Sequence, residues 1–174
     1  MRFRMFHYFF LFLLGLSLVI GQEKRAHFSG TWKLDKRTST DLPESFKHVD
    51  AYLLHVGQGP DSMSVVAEMS GDGQNVTLPV TLYEFDGHEV YREDTLRASK
   101  RWIKASWTST GEKLIVTNRV VQKVGSPQEN RYEQTDVWQF SKKRNTLLIF
   151  ITQKFEDPSK PSHTERRYFH RVGD

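Results

Sequence analysis

Residues 131–140, Arg131-Tyr132-Glu133-Gln134-Thr135-Asp136-Val137-Trp138-Gln139-Phe140, combine rings, amides and carboxylates at strand spacing. In a strand, successive side chains point to opposite faces. Tyr132, Gln134, Asp136, Trp138 and Phe140 therefore share one face, and the rings mark it as the inner one. Gln134 and Asp136 then also look inward. A carboxylate there needs a partner or water. Arg92 and Arg119 on other strands are the expected partners. Two readings of Asp136 stand: a polar anchor in an otherwise apolar binding cavity, or a rim or ion-pair residue with no ligand.

Other constellations carry less. His27, His48, His55, His88, His163 and His170 are scattered singly, with no pair at a spacing of two and no His-Glu-x-x-His. No metal site is expected from them. There is no Gly-x-Ser-x-Gly elbow and no cysteine, hence no thiolate chemistry or disulfide. The acid pairs Glu93/Asp94 and Glu133/Asp136 fall on opposite strand faces or in solvent, so no general acid–base set is nominated. Gly71-Asp72-Gly73 lacks the lysine and helix of a phosphate loop. In Lys100-Arg101-Trp102-Ile103-Lys104-Ala105-Ser106-Trp107, basic residues alternate with rings. The two tryptophans have opposite parity, so Trp107 with Ile103 and Ala105 reads as core. Trp102 with Lys100 and Lys104 reads as an outer face open to a glycan or a protein partner.

The elements that hold these residues are short strands. Ala51–Val56, Ser62–Met69, Val76–Leu82, His88–Leu96, Lys100–Thr108, Leu114–Val121, Arg131–Phe140, Thr146–Gln153 and Thr164–Val172 follow Phe28–Leu34. Turn residues separate them: Gly57-Gln58-Gly59-Pro60-Asp61, Asp86-Gly87, Thr110-Gly111-Glu112 and Gly125-Ser126-Pro127. Pro79 sits inside one run and marks a bulge, break or edge. Residues 35–47 have room for one helical turn, with Asp41 or Thr40 as its cap and Pro43 near its start. About ten strands with short connections predict an all-β antiparallel up-and-down barrel, which leaves no open edges. A two-sheet sandwich is the competing fold. Asn75-Val76-Thr77 is an N-glycosylation sequon.

The chain opens with Arg2 and Arg4, then an apolar run from Phe9 to Ile20, then Val19-Ile20-Gly21 ahead of polar Gln22-Glu23-Lys24-Arg25. This pattern predicts a signal peptide over 1–21 and one domain over 22–174, exported to a periplasm or beyond the cell, with no membrane span after cleavage. All 174 residues carry a formal net charge of +4, and the 22–174 segment is nearly balanced. That balance gives no electrostatic case for nucleic acid.

The stretch Phe28-Ser29-Gly30-Thr31-Trp32-Lys33-Leu34 organises the rest. Phe28, Gly30, Trp32 and Leu34 share a face, and Gly30 permits a bend or a close backbone approach. Gly30-x-Trp32 on a first strand resembles the first signature of the lipocalin and fatty-acid-binding (calycin) superfamily. The whole run is most similar to the opening of small secreted bacterial lipocalin-like proteins. The resemblance implies a basic residue of the last strand lying across the tryptophan. Arg171 sits where that partner belongs, and Arg167 is a second candidate. It also implies non-enzymatic binding of a small, largely apolar ligand inside the barrel, with no cofactor. Trp32 and Arg171 would then be structural, and Trp107, Tyr132, Gln134, Asp136 and Trp138 are the candidate ligand contacts. The alternatives are an interaction module of the cell envelope with a filled barrel, a lipocalin-like enzyme, or a haem-binding barrel. The last would use His170, but Arg171 turned inward would point His170 outward.

Overall fold

The computed structural model describes residues 25–95 and 97–173. The segment read as a signal peptide, 1–21, lies outside the described residues. The described chain is all-β, with eleven strands: β1 (Gly30–Leu34), β2 (Ala51–Gln58), β3 (Ser62–Gly71), β4 (Gln74–Thr77), β5 (Thr81–Glu84), β6 (Glu89–Asp94), β7 (Ser99–Trp107), β8 (Lys113–Gln122), β9 (Asn130–Ser141), β10 (Thr146–Phe155) and β11 (His163–Arg171). All pair antiparallel in one sheet, in the order β4-β3-β2-β1-β11-β10-β9-β8-β7-β6, with β5 also on β3. The meander returns on itself where β1 pairs β11. Past β1 the chain stays on β11: Asp35 donates its backbone N–H to Tyr168, and Thr40 and Arg166 exchange backbone hydrogen bonds.

The sheet does not close by hydrogen bonding, contrary to the barrel expected from the sequence. The cause lies in the run 76–82. Pro79 has no N–H to give a ladder, and the run breaks there into β4 and β5. Both halves stay on β3: Thr77 is in register with Glu68, and Thr81 with Val65. Neither half pairs with β6. A seam therefore runs between β4/β5 and β6/β7, and the broken run is why eleven strands stand where ten were expected.

Residues 35–50 form a loop with one 3-10 turn, Glu44–His48, as the short interval allows. Pro43 stands at its cap position and no side chain caps it, so the expected role of Asp41 or Thr40 is not realised. Asp41 instead takes a left-handed conformation, φ 57°. The turn buries Phe46 against Tyr52, ring centres 5.4 Å apart.

The inner face holds one core, with Phe28, Trp32, Met63, Leu114, Leu147 and Phe169 fully buried. One end is packed with rings. Phe28 stacks on Trp107 at 5.6 Å, and Phe85 meets the same indole edge-on at 5.3 Å. The segment before β1 is clamped across this end. Gln58 accepts from the Phe28 N–H and donates to the Ala26 carbonyl, and the Ala26 N–H donates to Gly111.

Candidate functional site

Above that aromatic floor the inner wall changes character. Register places Val116, Asp136, Ile151 and Glu165 in one row across β8, β9, β10 and β11. The next row, one step toward Tyr132 along β9, is Asn118, Gln134, Gln153 and His163. Strand alternation thus gives the inner wall a polar band of six side chains.

Gln134 and Asp136 lie two apart on β9, so they share the face and touch. Gln134 Nε2 donates to Asp136 Oδ1 at 2.9 Å. Trp138 Nε1, two residues further along β9, and Trp107 Nε1 are buried with no partner among the described residues. Asp136 is 7% exposed. Burial pushes its carboxyl up to about 6, against the opposing pull of the Gln134 hydrogen bond and the Arg167 charge. Arg167 does not form an ion pair with it. Arg167 forks onto Glu165, Nε to Oε2 at 3.1 Å and Nη2 to Oε1 at 2.8 Å. Its other side lies over the Phe46 ring at 4.9 Å and the Tyr52 ring at 6.0 Å. His163 Nε2 is buried with no partner among the described residues.

Three phenols complete the wall. Burial pushes the Tyr52, Tyr83 and Tyr132 hydroxyls above the ordinary tyrosine range. Tyr83 packs on Trp138, ring centres 6.4 Å apart.

The five residues nominated from sequence all point inward, but they divide. Gln134 and Asp136 form the hydrogen-bonded centre of the polar band. Tyr132 stands beyond the Gln134 row, accepting from Gln122 Nε2 at 3.1 Å and packing on Phe155. Trp107 and Trp138 belong to the aromatic floor, with Trp138 3% exposed. The partners expected for Asp136 are not the ones found. Arg119 points outward, pairs with Glu89 and lies over Trp102 at 5.5 Å. Arg92 is exposed on β6. Glu165 was missed, and Arg167 was named only as a second candidate to cover Trp32, although their parity with Phe169 and Arg171 places both inside. Tyr52, which shares a face with Leu54 and Val56, was missed in the same way.

The seam opens as a cleft of about 270 Å³ lined by Leu78, Val80, Leu82, Arg97, Arg101 and Ile103, among others. On the outer face Trp102 packs on Tyr91 at 5.4 Å. His170 also faces outward, its Nε2 3.1 Å from Asp35 Oδ2. Among the described residues no cluster of three or more His, Asp or Glu could hold a metal ion. Among the same residues no helix is long and apolar enough to cross a membrane.

No family profile matches the chain, and no curated protein matches it. Solved structures similar to it include REP1-NXSQ fatty acid transporter, at 16% identity and TM-score 0.47, covering 84% of this chain and 96% of the other. A Schistosoma mansoni fatty acid binding protein in complex with arachidonic acid is also similar, at 18% identity and TM-score 0.48, with the same coverage.

Proposed function

We propose that the protein is a non-enzymatic carrier, binding a small, largely apolar molecule between the polar band and the aromatic floor. One observation carries this reading: around Asp136, which is buried and bonded through one oxygen to Gln134, the inner wall holds Trp138 Nε1 and His163 Nε2 buried with no partner among the described residues. Leaving a buried polar atom unpaired costs roughly 1–3 kcal/mol. A wall that served only to fill the barrel would carry an apolar residue there. A cavity that orients a ligand needs a few such groups on otherwise apolar walls. Apolar ligand surface removed from water would contribute roughly 25 cal/mol per Å². In this reading Gln134, Asp136 and Tyr132 contact the ligand, Trp107 and Trp138 form its floor, and Trp32 and Arg171 are structural.

The apolar run 9–20 after Arg2 and Arg4 supports an exported carrier, released over 22–174. Native mass spectrometry of protein purified gently from its own source, followed by denaturing release, tests the reading. A reproducible bound small molecule is the expected result. A clean unliganded mass, together with no enhancement of Nile red fluorescence, would overturn it.

A further inference from the structure

We infer that the seam holds an anion site of its own, which binds a phosphate monoester between Arg92 and Arg101. The site does not rest on the carrier reading, since it lies in the cleft between β5 and β7 and not in the band around Asp136. Arg92 and Arg101 stand directly opposite each other in the β6–β7 register. Both share the parity of Val90 and Ile103, which places them on the inward face, and both line the cleft. Like charges directly opposite each other destabilise a strand pair. Among the described residues, neither guanidinium has a carboxylate within ion-pair distance to offset this, because the two nearby acids are held by other groups. Glu93 has the opposite parity, accepts from the Tyr91 hydroxyl at 2.7 Å and lies 3.9 Å from Lys100. Asp94 accepts from the Arg97 N–H at 3.1 Å and lies 3.8 Å from Arg97 Nη1. Arg92 itself gives one long hydrogen bond, 3.4 Å, to the Tyr91 carbonyl.

A buried donor stands beside the two arginines. Ser99, two residues before Arg101 on the same face, is 6% exposed, and its Oγ is buried with no partner among the described residues. It lines the same cleft. A buried hydroxyl left unpaired is costly, and an acceptor held in the cleft would satisfy it. The Arg101 charge also reaches the interior: burial raises the Tyr83 and Tyr132 hydroxyls, and Arg101 pulls both the other way. Two guanidinium forks and one hydroxyl suit a tetrahedral dianion with three terminal oxygens. A carboxylate has one charge and two oxygens. A single fork satisfies it and leaves the second arginine unpaired. Leu78, Val80 and Leu82 form an apolar lip beside the arginines, with Val80 65% and Leu82 42% exposed. That lip seats an alkyl chain, so the monoester it favours is one borne by a lipid.

Isothermal titration calorimetry of the purified protein with decyl phosphate, glycerol phosphate and decanoate tests the site. At about pH 7.5 a phosphate monoester carries close to two negative charges. Decyl phosphate is expected to bind at least tenfold tighter than either of the others. Arg92→Gln and Arg101→Gln should each weaken decyl phosphate at least tenfold, and Ser99→Ala at least threefold. Lys104→Gln, which removes the same charge from the outer face of β7, should leave it within threefold. Equal binding of glycerol phosphate and decyl phosphate, with the same loss in the arginine variants, would keep the site and assign it to soluble monoesters. Decanoate binding as tightly as decyl phosphate would overturn the inference, and so would an unchanged affinity in both arginine variants. Nile red fluorescence reads the interior separately. Its enhancement without any arginine effect on decyl phosphate would sink the seam site and leave the carrier reading standing.

Discussion

Trp32 and Arg171 are register partners across β1 and β11, and the Arg171 guanidinium lies 4.7 Å above the Trp32 ring. The indole is fully buried, and its Nε1 donates to the Phe28 carbonyl at 2.8 Å. One contact thus ties the first and last strands together where the meander returns on itself. Gly30 makes it possible. Its φ is +133°, and a Cβ there would meet Arg171 Nη1 at 3.1 Å. The close approach anticipated at this glycine is to a side chain and not to a backbone.

Substitutions at this contact should destabilise in a set order. Trp32→Ala should cost about 3–5 kcal/mol, as for other buried rings. Gly30→Ala should cost roughly 1–3 kcal/mol from backbone strain and crowding. Arg171→Met should cost about 1–2 kcal/mol, the value of a partly buried cation over an indole. In the Gly30→Ala/Arg171→Met double variant the crowding disappears and the backbone strain stays, so the two costs should fall short of additive. Urea unfolding followed by tryptophan fluorescence checks the set. Full additivity would show that Gly30 is not constrained by Arg171.

How far the sequence exposes this fold depends on parity. Trp32, Arg171, Gln134 and Asp136 are legible because a glycine, a ring or a run of rings fixes which face is inner, and every second residue follows. The same count along β11 leads from Arg171 through Phe169 to Arg167 and Glu165. Parity also shows that Arg119 points away from the face of Val116, so it was never a fit partner for Asp136. What parity cannot supply is pairing between distant strands. The row Asp136–Ile151–Glu165 exists only once register is known. The seam is half legible: Pro79 announces a break, but that both halves stay on β3 is decided by tertiary pairing.

The Glu165–Arg167 pair should behave as a buried ion pair. The two side chains are 5% and 17% exposed. Glu165→Met strands a guanidinium in the wall and should cost roughly 3 kcal/mol, the low end for a broken buried pair, since Arg167 keeps some exposure. Replacing both residues with Met should recover most of that loss, because two desolvated charges disappear together. Thermal and urea unfolding of the two variants and the unmodified protein gives the comparison. A double variant less stable than Glu165→Met would show that the pair contributes net stability beyond its desolvation cost.

The seam should be the first part of the sheet to open. All four residues of β4 are exposed, β6 is exposed at four of its six positions, and neither edge has a partner across the gap. By contrast, β9 and β10 are each paired on both sides. Amide hydrogen exchange should therefore be fastest, among the strands, at 74–77 and 89–94, and slowest in 134–140 and 147–153. Equal protection at β6 and β9 would mean that the gap closes in solution.

Asp136 gives the protein a pH dependence of unusual sign. In the unfolded chain an aspartate titrates near 3.9, whereas burial holds Asp136 up at about 6. Between those values the folded protein keeps a proton that the unfolded chain has released. Raising the pH across that interval therefore favours unfolding. The stabilisation is fully present below about pH 4 and lost as the pH rises through 6, with a total of at most about 3 kcal/mol at 1.36 kcal/mol per pKa unit. Asp35 works the other way and in a separate window. Its hydrogen bond with His170 holds its carboxyl below the usual range, so its contribution is lost only as the pH falls beneath about 4. Subtracting the stability of Asp136→Asn from that of the unmodified protein isolates the Asp136 contribution at each pH. Urea midpoints from pH 4 to 7 should show that difference falling as the pH rises and levelling off above 6. A difference that stays flat would place Asp136 in contact with water or a cation.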